Sequence, residues 1–274
     1  MVMSYKRLKF TAKAGGSPLV DELHRRSVGF TLVKLLLTVL LCSWFQITTL
    51  AGDSGALIVT GLSPSADDAA KFLSLATETK RLLVERGLPV SRVEILHEKV
   101  TRGLVLQKLQ AVTAGTNDEF WLVLYGLGGR SRGNQPAFQV GGPRLTAADL
   151  KAALDAIPAR QFLFIGTGDS GGFLPVLQAD RRMVLSATRE EGEPDQPRFP
   201  DAWLKTFSEN PKASFEVIAA QAAAAVDAEY TKSHLAQSEH SRLADPVTGK
   251  ILEPPFDVNL EATNSPPTTD LKAK

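Results

Sequence analysis

Short apolar runs alternate with stretches whose apolar residues recur every three or four positions, and this alternation organises most of the chain. Residues 56–59 (ALIV) predict a first buried strand. Ser65 is placed to cap a following helix, with Asp67 and Asp68 set favourably against its dipole. Phe72, Leu75, Ala76, Leu82 and Leu83 then fall at helical spacing, and Gly87 supplies the stop. A strand at 93–96, a helix over about 101–112 and a strand at 120–124 (FWLVL) continue the pattern. After a turn-rich loop (GLGGRSRGNQ), residues 137–140 predict a short hairpin with the residues around Arg144, and Thr146 caps a helix reaching Ile157. Strands at 162–165 and 183–185 follow, then helices over about 201–208 and 214–234, the second with Phe215, Ile218, Ala222 and Val226 as its core stripe.

Strands that alternate with helices at this spacing predict an α/β fold, a mostly parallel central sheet covered by helices on both faces in three α/β/α layers. Between the last strand and the last helices, residues 190–200 (EEGEPDQPRFP) are charged and proline-rich, suited to a mobile surface loop beside the strand ends. The folded body is expected over 52–249. The tail, 250–274, with repeated prolines from Pro254 onward, is expected to be disordered.

The first 51 residues read differently. Residues 35–45 (LLLTVLLCSWF) carry no charge, follow Lys34 and precede polar Gln46 and Thr48, which fits the apolar region of a secretory signal peptide with 49–51 (TLA) as the cleavage site. The rival reading is an uncleaved anchor over 35–50, with Arg25, Arg26 and Lys34 on the cytoplasmic side; membrane contact follows only in that case. Either way the body is exported, to a periplasm or to the outside. Residues 1–27 are long and mixed for a signal, so translation is expected to start at Val28 or Val33.

Charge and cysteine content narrow the function. The formal net charge is +1, but the first 51 residues hold seven Lys or Arg against Asp21 and Glu22. Of 31 basic and 30 acidic residues, 24 and 28 remain for the body, a net of −4. A mildly acidic body in a chain with 7% aromatic residues lacks the basic stripe of a nucleic-acid binder. Cys42, the one cysteine, lies in the N-terminal segment, so the body has no disulfide, cysteine metal site or thiol nucleophile.

Candidate chemistry gathers where two strands end. The run FLFI at 162–165 passes into Gly166, Thr167, Gly168, Asp169, Ser170, Gly171, Gly172 and Phe173, and FWLVL passes into Tyr125, Gly126, Leu127, Gly128 and Gly129. Open α/β sheets place their ligands beyond the carboxyl ends of their strands. The order and spacing of these two strand ends resemble the caspase-like and legumain-like (C13-like) cysteine peptidases, in which the first strand ends in His-Gly and the second in Cys-x-Ser-Gly or a close variant. The resemblance covers roughly 55–249. Glu239-His240, Leu243, Asp245 and Gly249 are similar to a pattern near the end of some bacterial members.

Carried over position by position, the resemblance implies a caspase-like sandwich whose histidine falls at Leu127 and whose cysteine falls at Gly168. Leucine cannot exchange a proton and glycine has no side chain, so the dyad is degenerate. Loss of nucleophile and base removes about six orders of magnitude of rate. Backbone donors survive at Gly128, Gly129, Asp169, Ser170 and Gly171, so the resemblance implies a pseudoprotease that holds a peptide or protein in the cleft between the Leu127 and Gly168 turns, without cofactor or metal.

A rival reading assigns the chemistry to Ser170. GDSGG at 168–172 satisfies G-x-S-x-G after a strand, with Gly128-Gly129 as part of an oxyanion hole and Asp201 or Asp227 with His234 or His240 as partners. His97 ends a strand and is a further candidate base. His234 and His240 are six apart, not a usual spacing for a metal site on one helix face. Glu190, Glu191 and Glu193 could attract a cation or a basic peptide, and Arg130 and Arg132 a carboxylate; solvation is the default for all five.

Overall fold

The structure is a computed structural model that describes residues 53–189 and 192–256. By compactness the protein divides into two units, Met1–Leu50 and Ala51–Lys274, and the described residues belong to the second. The predicted leader and the Val28 and Val33 starts lie outside the described residues, as do Glu190, Glu191 and the tail beyond Phe256.

The alternating runs become strands β1 (Gly55–Thr60), β2 (Val93–Leu96), β3 (Glu119–Tyr125), β6 (Arg160–Gly166) and β7 (Arg182–Ser186), all parallel. Two antiparallel strands, β8 (Arg242–Asp245) and β9 (Lys250–Leu252), complete a seven-stranded sheet ordered β2-β1-β3-β6-β7-β8-β9. A separate hairpin pairs β4 (Ala137–Phe138) with β5 (Leu145–Thr146), where the sequence predicts one.

Successive residues of each central strand face opposite layers, as the period of a strand requires. Ala56, Ile58, Trp121, Val123, Tyr125, Phe162 and Phe164 pack beneath α1 (Ala66–Arg86), α5 (Phe199–Glu209) and α6 (Phe215–Lys232). Leu57, Val59, Phe120, Leu122, Leu124, Leu163 and Ile165 pack beneath α2 (Arg102–Gln110), α3 (Ala147–Leu154) and the single turn α4 (Leu174–Leu177). The three-layer α/β/α sandwich is therefore present. Because both faces are covered, the strands read as continuous apolar runs rather than alternating ones.

The helix signals work as chemistry. The Ser65 hydroxyl accepts from the Asp68 amide, the Thr146 hydroxyl accepts from Asp149 in a reciprocal capping box, and Gly87 ends α1 at φ 122°. The core stripes on α1 and α6 are buried as expected.

One expectation is corrected. Residues 250–256 are ordered rather than part of a disordered tail: β9 pairs with β8, and Phe256 buries itself against the α6 side of the core. A single aromatic anchor and an edge pairing overcome the proline-rich composition.

Candidate functional site

β3 and β6 are neighbours paired from Glu119↔Arg160 to Tyr125↔Gly166, so the turns that leave them start side by side. The Leu127 turn runs back along the hairpin: the Gln139 amide donates to the Leu127 carbonyl at 3.0 Å, the Ala137 amide to the Gly129 carbonyl at 2.8 Å, and the Gln139 side-chain amide to the Gly128 carbonyl at 2.8 Å. Gly126 and Gly129 take φ values of 153° and 145°, backbone that a side chain would strain.

The two turns touch. A Cβ on Gly128 would stand 1.9 Å from the Gly168 carbonyl oxygen. The cleft expected between the Leu127 and Gly168 turns is therefore filled by backbone, because only glycine at 128 lets the two turns approach so closely. Arg130 and Asp169 add an ion pair across the turns, Nε to Oδ2 at 3.3 Å. Asp169 itself sits at φ 49° and starts the 3-10 turn Ser170–Phe173.

Gly168 is covered from the other side. A Cβ there would meet the Asp195 Cα at 2.7 Å and the Pro194 carbonyl oxygen at 2.8 Å, and the Gly168 amide donates to the Asp195 carbonyl at 3.3 Å. The described part of the acidic segment, residues 192–200, predicted as a mobile loop, thus lies over the β6 end and is fastened there. Glu193 accepts from the backbone amides of Arg189 and His240 at 2.8 and 2.9 Å and pairs with the His240 Nδ1 at 2.7 Å. The Arg198 amide donates to Glu239 at 2.7 Å, and Gln196 reaches Asp68 at 3.0 Å. Glu239 is 1% exposed, and burial raises its pKa while the Arg198 amide and charge pull it down.

Ser170 is fully buried and its hydroxyl is spent on Thr188: it lies 3.0 Å from the Thr188 hydroxyl and accepts from the Thr188 amide at 3.0 Å. The Ser170 amide donates to the Thr188 hydroxyl at 3.0 Å. This is a side chain locking one turn to the strand end beside it. Of the acids and bases nominated for it, Asp201 pairs with Lys71 at 2.9 Å and His240 with Glu193, while Asp227 and His234 are exposed, on α6 and just past its end. Gly171 is as tightly held, with its Cβ direction meeting the Arg189 carbonyl carbon at 2.6 Å. Arg132 is exposed. Among the described residues, no group of three or more His, Cys, Asp and Glu is placed to hold a metal ion, and no helix is long and apolar enough to cross a membrane.

His97 stands elsewhere, beyond β2. The register Val59↔Leu96 carries Thr60 and His97 to the same level of neighbouring strands, and the Thr60 hydroxyl lies 2.9 Å from His97 Nδ1. A cavity of about 310 Å³ opens there, lined among others by Gly61, Ser63, Phe72, His97, Lys99 and Val100. Thr60 and Thr188 are the polar partners that sequence reasoning misses. For Thr60 the signal is available, since it is the first polar residue after the apolar run 56–59.

Comparison with known proteins adds little to this geometry. No family model matches the chain, and no curated protein does. Among solved structures the chain is similar to Raptor of Chaetomium thermophilum, with a TM-score of 0.41 and 8% identity, over 58% of this chain and 18% of that one. The chain thus spans less than a fifth of that protein's length, and a likeness of this size carries no argument about function.

Proposed function

We propose that this protein is a catalytically degenerate peptidase domain of caspase-like or legumain-like type, exported from the cell, that works by holding a peptide or protein segment. The reading is carried by what stands around Gly168: no side chain, a neighbouring turn with leucine at 127, and a carbonyl from an acidic segment on its amide. Peptidases hold the substrate backbone with main-chain donors at this kind of strand end, and such donors outlast loss of the reacting side chains. Here Asp195 supplies from within the molecule the carbonyl that a bound segment would bring.

The β1–β3–β6 order and the position of both turns at the carboxyl edge support the resemblance to those peptidases. Against Ser170 as the nucleophile stands its hydroxyl, which is buried and hydrogen-bonded to Thr188. The test is incubation of the full-length protein with a fluorophosphonate probe and with fluorescent denatured casein. We expect neither labelling nor cleavage, and retention of casein peptides that is stronger when residues 192–197 are replaced by a glycine-serine linker. Labelling that disappears in Ser170→Ala, or cleavage of casein, would overturn the reading. For the export part, N-terminal sequencing of protein recovered from outside the cytoplasm is expected to begin near Gly52.

A further inference from the structure

The cavity beyond β1 and β2 is separate from the closed turns of β3 and β6, and it has the make-up of a ligand site. Its floor is apolar, formed by Ala69 and Phe72 of α1 and by Val100. Its rim carries three polar groups with unspent hydrogen-bonding capacity. The Ser63 hydroxyl and the Lys99 ammonium make no hydrogen bond or ion pair among the described residues. His97 uses Nδ1 on Thr60 and leaves Nε2 with no partner closer than Glu98 Oε1 at 4.0 Å.

The loop that brings these groups together is held in costly backbone. Glu98 and Lys99 are consecutive non-glycine residues at φ 58° and 46°. Side chains disfavour this left-handed region. Strain of this kind persists where surrounding structure imposes it, and it gathers at ligand sites. Here it places His97 on the β2 end and Lys99 on the same rim.

Charge selects the ligand. Lys99 and Nε2 of His97 offer donors to one anionic group, while the exposed carboxylate of Glu98 beside His97 opposes a second negative charge. The apolar floor calls for a hydrocarbon part next to that group, and a cavity near 310 Å³ limits the ligand to a small one. We infer that this cavity binds a monocarboxylate carrying a compact apolar group, with Lys99 and His97 on the carboxylate and Phe72 and Val100 against the hydrocarbon. The same chemistry is presented by a free acid and by the terminal carboxylate of a peptide ending in an apolar residue. A carboxylate at Nε2 selects the imidazole state in which Nε2 carries a proton.

The experiment follows the His97 ring by NMR in the full-length protein, assigned by its loss in His97→Gln, during titration with phenylacetate and with an acetylated tripeptide ending in phenylalanine. We expect a saturable shift with a Kd of about 1 mM for phenylacetate, in keeping with so small a ligand. Lys99→Gln should weaken it about tenfold by removing a charge-assisted bond. Glu98→Gln should tighten it about threefold by removing the opposing charge, a gain that misfolding cannot produce. Binding of phenylacetate alone assigns the site to a free acid, and binding of the tripeptide, alone or with phenylacetate, assigns it to a carboxylate that a peptide end can present. No shift with either ligand would overturn the inference. So would equal binding of phenylacetamide or inorganic phosphate, or affinities unchanged in both variants.

Discussion

Beyond β3 and β6 backbone closes upon backbone, whereas beyond β1 and β2, on the same carboxyl edge of the same sheet, the loops leave a cavity of about 310 Å³. The closed end holds Gly128 against Gly168 and lays Pro194 and Asp195 over Gly168. The open end puts a histidine, a lysine and a serine around an apolar floor. Position beyond a parallel sheet therefore makes a site available but does not create one. What decides is how closely the loops approach, and at the closed end glycines remove the side chains that would have kept them apart.

The comparison breaks most visibly through Gly128→Ala. Its new methyl would need the Gly168 carbonyl to move from 1.9 Å, and that first contact is backbone, with the buried Thr167 hydroxyl next at 2.7 Å. We expect a loss of about 3 kcal/mol or more in urea unfolding. Leu62→Ala at the open end, where the side chain is 49% exposed, should stay within about 0.5 kcal/mol of the parent. Equal effects would mean that the closed end is looser than its contacts imply.

Next in size is Ser170→Ala. The Thr188 amide loses its acceptor in a fully buried setting, so stability should fall by about 2 kcal/mol. Casein turnover, which we expect to be absent in the parent, should be absent in this variant as well.

How much of this contrast is legible in the sequence depends on the kind of fact. Runs such as ALIV and FWLVL announce buried strands because both sheet faces are covered, and Ser65, Thr146 and Gly87 announce helix ends because their groups act locally. Strands β8 and β9 escape notice: Arg242–Asp245 and Lys250–Leu252 are short, form the last two strands at one side of the sheet, and carry charge at their ends. The glycines of the Gly168 turn advertise a site equally well whether their surroundings are empty or full. That Asp195 crosses one of them is settled by contacts between distant segments, which local pattern does not encode.

A third test concerns the fastening of the acidic segment. Burial holds Glu239 above its ordinary value near 4.5, with the Arg198 amide and charge working the other way. A carboxyl that binds its proton more tightly when folded withdraws stability as pH rises past its unfolded value, and withdraws none below it. Glu239→Gln should therefore gain stability relative to the parent between pH 5 and 7 and show no gain at pH 4. A gain that persists at pH 4 would assign the effect to packing and not to titration.

The smallest expected change is Lys99→Gly. Glycine accepts a φ of 46° without steric cost but is freer when unfolded, so the net gain should be within about 1 kcal/mol. Because the same substitution removes the rim ammonium, phenylacetate binding should weaken while thermal stability holds or rises. Stability and affinity falling together would count against a strained rim.

The Asp195 carbonyl on the Gly168 amide has a consequence for any attempt to find a ligand there. A segment tethered at both ends competes at an effective concentration in the millimolar range, so an incoming peptide contends with a rival that dilution never removes. Its apparent affinity is its intrinsic affinity scaled by the fraction of molecules whose segment has swung clear. Screens on the intact protein then under-report binding uniformly, whatever the peptide, and whatever unfastens Glu193 from His240 would raise every affinity by the same factor.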